Sequence, residues 1–158
     1  MSSVWSETDV RHMRVALDEA REALAVGEVP VGAIIVAAGG IAGSGHNRSI
    51  GNCDPTAHAE IIALREAAKA VGNYRISDAT AYVTLEPCPM CIGAMLHARI
   101  RRLVFGAYDA RAGAAGSVVD LCNARQLNHR IEVNGGLLGE ECSELLRGFF
   151  AARRGEPG

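Results

Sequence analysis

The chain has 158 residues, of which 49% are hydrophobic and 22% charged, the make-up of one soluble globular domain with a core that needs no staples. That composition excludes a disordered chain, no apolar run approaches the ~20 residues of a membrane span, and the first nine residues lack the basic and apolar regions of a secretory signal. A formal charge of −2 does not by itself point to nucleic acid.

Ser6 opens a helical pattern, with Asp9 three residues on as in a capping box. Val10, Met13, Leu17, Ala20 and Leu24 then recur at spacings of three and four, and Gly27 is the stop. Residues 31–36 read as a buried strand, 37–40 as a hairpin turn and 41–47 as the returning strand. Gly43 and Gly45 in that strand mark a bulge or a close ligand approach. A helix is expected over 57–71 with Thr56 as N-cap. Further elements are a strand over 79–85, a short helix over 90–97 and a strand over 102–107. A Gly/Ala loop follows over 112–116, then a short helical piece over 118–123 and a strand over 131–134. The last helix spans 139–153, with Cys142, Leu145, Leu146 and Phe149 on one face. This alternation predicts an α/β fold: a single mixed sheet with helices on both faces.

Charge and cysteine add two hints. Residues 1–96 carry 7 basic and 11 acidic side chains, whereas 97–154 carry 9 basic and 6 acidic; 15 of the 16 basic residues are Arg. Arg suits phosphate, although a compositional bias towards Arg, Ala and Gly accounts for it as well. Five cysteines, an odd number, argue against a disulfide framework and for a reducing, cytoplasmic setting.

Two segments carry chemistry: His58-Ala59-Glu60 and Pro87-Cys88-Pro89-Met90-Cys91. Each lies where a helix begins. Cys88 and Cys91 are three apart, so both sulfurs face one way on a first helical turn. Two thiolates and one imidazole make three zinc ligands and leave a fourth position open, the pattern of a catalytic rather than a structural zinc site. Glu60 is then free to move protons. His46, His97, His129, Cys53, Cys122 and Cys142 have no paired spacing and read as packing or surface residues. Taken alone, the Cys pair could be a redox motif, and Glu60 a first-turn glutamate that complements the helix dipole. Together, His-x-Glu and Pro-Cys-x-x-Cys form the signature of zinc deaminases.

With those motifs the sequence resembles the cytidine-deaminase-like superfamily, and within it the bacterial tRNA adenosine deaminases. The resemblance covers roughly residues 7–154 of a chain read as one deaminase domain, 1–158. It rests further on EVPVGA at 28–33, DPTAHAEIIALR at 54–65, NYR at 73–75, VTLEPCPMCIGAM at 83–95, FGA at 105–107, GAAGS at 113–117 and NHR at 128–130. It implies a three-layer αβα fold with a mixed five-stranded sheet. It implies one zinc ion per chain held by His58, Cys88 and Cys91, with Glu60 as proton shuttle. It also implies that Asn47 hydrogen-bonds the flipped base or its ribose and that Asp109 lies beside the wobble nucleotide. The implied reaction is hydrolytic conversion of adenosine to inosine at the wobble position of a tRNA anticodon, with the ACG arginine tRNA as the expected substrate. The implied partners are a tRNA anticodon stem-loop and a second copy of the chain. The sequence departs from the family at Tyr108, where a basic residue is common, and at Arg111, where Lys is common.

Three other functions use parts of the same pattern. A deaminase of free bases or nucleosides needs the same zinc and glutamate. A zinc-bearing RNA-binding subunit without catalysis would not need Glu60. A thiol–disulfide oxidoreductase would leave the His-Ala-Glu segment unexplained.

Overall fold

The structure is a computed structural model, and it describes residues 5–155. Met1–Val4 and the end of the tail, including Glu156, lie outside the described residues.

Helix α1 (Glu7–Ala25) starts at Ser6, and the expected capping box is present: the Ser6 hydroxyl accepts the Asp9 N–H at 2.9 Å, and the Asp9 carboxylate accepts the Ser6 N–H. Met13, Ala16, Leu17, Ala20 and Ala23 form its buried face, while Leu24, expected on that face, is exposed. Strands β1 (Gly32–Ala37) and β2 (Gly40–His46) form the expected hairpin. Ala38 and Gly39 turn it, both at positive φ, as a tight two-residue hairpin requires.

The next segments bring the chemistry: α2 (Ala59–Val71), β3 (Thr80–Leu85), α3 (Pro89–Ala98) and β4 (Arg102–Ala107). A short β5 (Glu132–Gly135) and α4 (Gly139–Arg153) close the chain. The sheet order is β2-β1-β3-β4-β5. β1 runs antiparallel to β2 and β3, whereas β3–β4 and β4–β5 are parallel, so the sheet is mixed, as expected.

Alternation along the strands sorts the core into two layers. Ala33, Ile35, Ala81, Val83, Leu103 and Phe105 point to one face and pack with Ala63, Leu64 and Ala67 of α2 and Ile92 and Met95 of α3. Ile34, Tyr82 and Val104 point to the other and pack under Met13 and Ala16 of α1, with Leu17 and Cys142 joining α1 to α4. Helices therefore cover both faces. β2 lies so close to α2 that a Cβ on Gly43 would sit 2.3 Å from the Ala63 carbonyl oxygen. A register shift opposite Ile35 and Val36 marks a bulge in the same strand. The glycines thus serve both a bulge and a close approach, though what approaches is helix backbone rather than a ligand.

Two local expectations change. No helix forms over 118–123; that stretch is a turn closed by a bridge between Ala115 and Asp120. Thr56 does not cap α2. Its N–H and hydroxyl both donate to Asp54 Oδ1, at 2.8 and 2.7 Å, and the helix begins two residues later than expected, with His58 at the N-cap.

Candidate metal and catalytic centre

His58 and Cys88 occupy equivalent places: each is the extended N-cap residue of its helix, α2 and α3, and neither spends its side chain on capping. Pro89 at the first helical position fixes the turn that carries Cys91 back beside Cys88. His58 Nδ1 lies 3.6 Å from Cys88 Sγ and 3.5 Å from Cys91 Sγ. All three ligand atoms fall within 4.8 Å of one another. Cys91 is fully buried, and His58 and Cys88 are half-buried.

The electrostatics suit a cation. The Cys88 thiol is pulled down to about 4, first by its hydrogen bond with Cys91 and further by His58. Cys91, the partner in that bond, is pushed up, and His58 is raised by its own bond to Cys88. One imidazole and two sulfurs that compete for protons at this spacing fit a borderline-soft metal such as zinc, which takes N and S donors. Among the described residues, this is the cluster of His, Cys, Asp and Glu that could hold a metal ion. His46 is paired with Glu19 at 2.7 Å, His129 Nε2 bonds the Ile100 carbonyl oxygen, and Cys122 and Cys142 sit in the core.

Glu60 lies in the first turn of α2 and is 4% exposed. Burial pushes its carboxyl up to about 7, and its side chain hydrogen-bonds Cys91. A carboxyl that titrates near neutrality can both take and give a proton under working conditions.

Asn47 follows β2, and its Oδ1 accepts the Ala59 N–H at 2.8 Å. It supplies the cap expected of Thr56, and this leaves its Nδ2 group to donate elsewhere. Asp109 follows β4, and its Oδ1 accepts the N–H groups of Arg111 and Ala112 at 2.9 and 3.2 Å. It shapes its own loop. Sequence reasoning passed over two buried carboxylates. Glu28 accepts the N–H groups of Ile50 and Gly51, and Glu86 accepts donors from residues 109–117. An acidic residue beside an apolar strand, followed downstream by small residues with free N–H groups, is the signal that could have found Glu86.

The model of the cytidine and deoxycytidylate deaminase zinc-binding region matches residues 6–107. The chain belongs to that family. The match takes in His58, Glu60, Cys88 and Cys91. Within the zinc-binding deaminases, the chain is 54% identical over 156 residues to the tRNA-specific adenosine deaminase of Haemophilus influenzae, covering 98% of this chain and 90% of that relative. It is also similar to a structure solved in a study of A-to-I editing by tRNA:A34 deaminases at the wobble position of transfer RNA. There the TM-score is 0.83 at 43% identity, over 86% of this chain and 99% of that one. The guanine deaminase of Bacillus subtilis shares the fold at a TM-score of 0.62 and 31% identity, over 98% of this chain and 97% of that one.

Proposed function

We propose that this chain is a zinc-dependent tRNA-specific adenosine deaminase that forms inosine at the wobble position of the anticodon. The observation that carries the chemistry is the joining of His58, Cys88 and Cys91 with Glu60, buried in the first turn of the helix that His58 opens. The identity of 54% to a tRNA-specific adenosine deaminase, against 31% to a guanine deaminase, favours the tRNA substrate.

His58, Cys88 and Cys91 would hold the zinc, and bound zinc supplies Lewis-acid activation of water, lowering its pKa from 15.7 towards ~7. The net reaction adds water at C6 of adenine and releases ammonia. Glu60 takes one proton from that water and delivers it to N1 of the ring; it then collects the second from the hydroxyl now on C6 and passes it to the amino group, which leaves as ammonia. Burial keeps Glu60 from bulk solvent, so the proton it holds stays on the reaction path. Asn47, its oxygen committed to Ala59, presents an amide donor to the base or ribose. Asp109 lies at the start of the loop that meets the wobble nucleotide. An unpaired adenine in an anticodon loop leaves the stack cheaply, and the Arg-rich C-terminal third attracts the phosphates.

In this reading the chain works in the cytoplasm as a homodimer, with tRNA contacts from both copies, and recognition is built on the catalytic domain itself. No helix of the described residues is long and apolar enough to cross a membrane. The test is inosine formation at the wobble position of an ACG-anticodon arginine tRNA, with Glu60→Ala as control and with free adenosine, cytidine and guanine as competing substrates. Inosine in the tRNA, lost in the variant, is the expected result. Turnover of a free base with the tRNA unchanged would overturn the reading in favour of a free-base deaminase.

A further inference from the structure

We propose that Glu86 is a positioning residue that anchors the substrate-reading loop, residues 108–120, against the start of the metal-binding helix α3. The kinetic part of this inference rests on the deaminase reading above. Glu86 lies between β3 and Cys88 and is 2% exposed. Its Oε1 accepts the Asp109 N–H at 3.0 Å and the Ser117 hydroxyl, and its Oε2 accepts the N–H groups of Ala115 and Ser117 at 3.0 and 3.1 Å. All four donors belong to the one loop. The backbone reinforces the seam, because the Glu86 N–H donates to the Ala107 carbonyl and the Ala114 N–H donates to the Pro87 carbonyl, both at 2.8 Å.

The loop is shaped to receive this side chain. A Cβ on Gly113 would sit 2.4 Å from the Glu86 carboxyl carbon, so only glycine leaves room for it. Ala114 is fully buried beneath, and Ser117 supplies both an N–H and a hydroxyl. The run Gly113-Ala114-Ala115-Gly116-Ser117, which served above as a family marker, is in physical terms a socket for one carboxylate.

The anchored segment has one isolated bridge of its own and no helix or strand. Turns closed by Asp109 Oδ1 and by the Asp109 and Gly113 carbonyls order it locally, and Glu86 ties those turns to the start of α3. On it stand Tyr108, 64% exposed, with Arg111, Val118 and Val119 also exposed, and Asp109 at its start. An exposed ring and apolar side chains suit unstacked bases, and Arg suits phosphate. Loosening the anchor should therefore weaken substrate capture without removing a group that touches the reacting atoms. It should act on KM more than on kcat.

The discriminating variant is Glu86→Gln. A carboxamide has the same shape but one acceptor oxygen, and each carboxylate oxygen here takes two donors. In either orientation its NH2 group faces at least one backbone N–H head-on: that of Asp109 on one side, those of Ala115 and Ser117 on the other. The experiment compares wild type, Glu86→Gln and Ser117→Ala by three measurements: zinc per chain, backbone amide exchange, and kinetics on an anticodon stem-loop. Zinc is expected to stay at one per chain. The amides of Asp109, Ala115 and Ser117 should lose protection while those of α3 keep theirs. KM should rise about tenfold in Glu86→Gln, and less in Ser117→Ala, with kcat nearly unchanged. Unaltered exchange in the loop, a fall in zinc, or a loss confined to kcat would each overturn the proposal. Should Glu86→Gln not fold, Ser117→Ala removes a single bond at an exposed residue and carries the same test. Amide exchange needs no substrate, so a wild-type chain that makes no inosine would defeat the deaminase reading while exchange still decides the anchor.

Discussion

Asn47 Oδ1 holds the Ala59 N–H at 2.8 Å, so the residue that ends the hairpin caps the helix that carries His58 and Glu60. This separates two jobs of one amide. Asn47→Asp keeps the acceptor and removes the Nδ2 donor; Asn47→Ala removes both. The aspartate variant should keep the wild-type melting temperature and lose about tenfold in kcat/KM on the stem-loop, one hydrogen bond's worth. The alanine variant should lose the same activity and about 1 kcal/mol of unfolding free energy besides. Wild-type kinetics for Asn47→Asp would remove Asn47 from the substrate contacts.

The metal centre and Glu60 should part company under mutation. His58→Ala or Cys88→Ser deletes one of three donors that lie within 4.8 Å of one another, and elemental analysis should find zinc falling well below one per chain. Chelation followed by zinc addition should abolish and then restore activity in the wild type. Glu60→Gln is close in shape and deletes no ligand. It should keep about one zinc per chain and lose about 10²–10⁴ in kcat, the usual range for an acid–base group. Zinc loss in Glu60→Gln would place that carboxylate in the metal shell instead.

The parts of this molecule that were legible in its sequence are those governed by short-range rules. The Ser6–Asp9 capping box, the two-residue turn at Ala38-Gly39 and the Pro89 helix start each depend on neighbours within a few positions. The meeting of His58, Cys88 and Cys91 was legible for the same reason, since each sits in a compact motif at a helix start. Thr56 shows where such rules stop. It is a good capping residue by type, yet Asp54 two residues earlier takes both its donors, and the cap comes from Asn47, twelve residues before the Ala59 whose N–H it accepts. Glu86 stayed hidden because its partners begin 23 residues downstream and most are backbone N–H groups, which no residue type announces. The expected helix over 118–123 failed for a related reason: the bonds from Ala115 and Ser117 to Glu86, with the Ala115–Asp120 bridge, hold that stretch as a turn.

Gly43 sets how closely helix α2 can approach the sheet. A Cβ there would stand 2.3 Å from the Ala63 carbonyl oxygen and 2.6 Å from the Ala67 nitrogen. Both are backbone atoms in the middle of α2, so no side chain can swing aside. Gly43→Ala must lift the helix or bend the strand, and should cost about 1–3 kcal/mol in denaturant unfolding. Because α2 carries His58 and Glu60, activity should fall with stability at 25 °C. Gly40→Ala, in the same strand with open space around its Cβ position, is the control and should lose less than about 1 kcal/mol.

The acid limb of stability should depend on Asp9. Its carboxylate receives Arg102 through two nitrogens, at 2.9 and 3.2 Å, the Tyr82 hydroxyl at 2.8 Å and the Ser6 N–H at 3.2 Å. Burial raises the Asp9 pKa, but the bonds from Arg102, Tyr82 and Ser6 outweigh it and hold the carboxyl below its ordinary range. A folded value below the unfolded one, ~3.9, means the stabilisation is complete above about pH 4 and is lost as pH falls through the folded value. Asp9→Asn leaves Arg102, largely buried, with the exposed Glu132 carboxylate at 3.5 Å as its remaining counter-charge and should cost up to about 3 kcal/mol at pH 7. The gap between wild type and variant should then narrow steadily as pH falls below about 4, since the wild-type carboxyl loses its charge there too. Urea unfolding of both chains at a series of pH values from 7 downward measures that gap. Curves that stay parallel throughout would mean that Asp9 contributes by shape and capping rather than by charge.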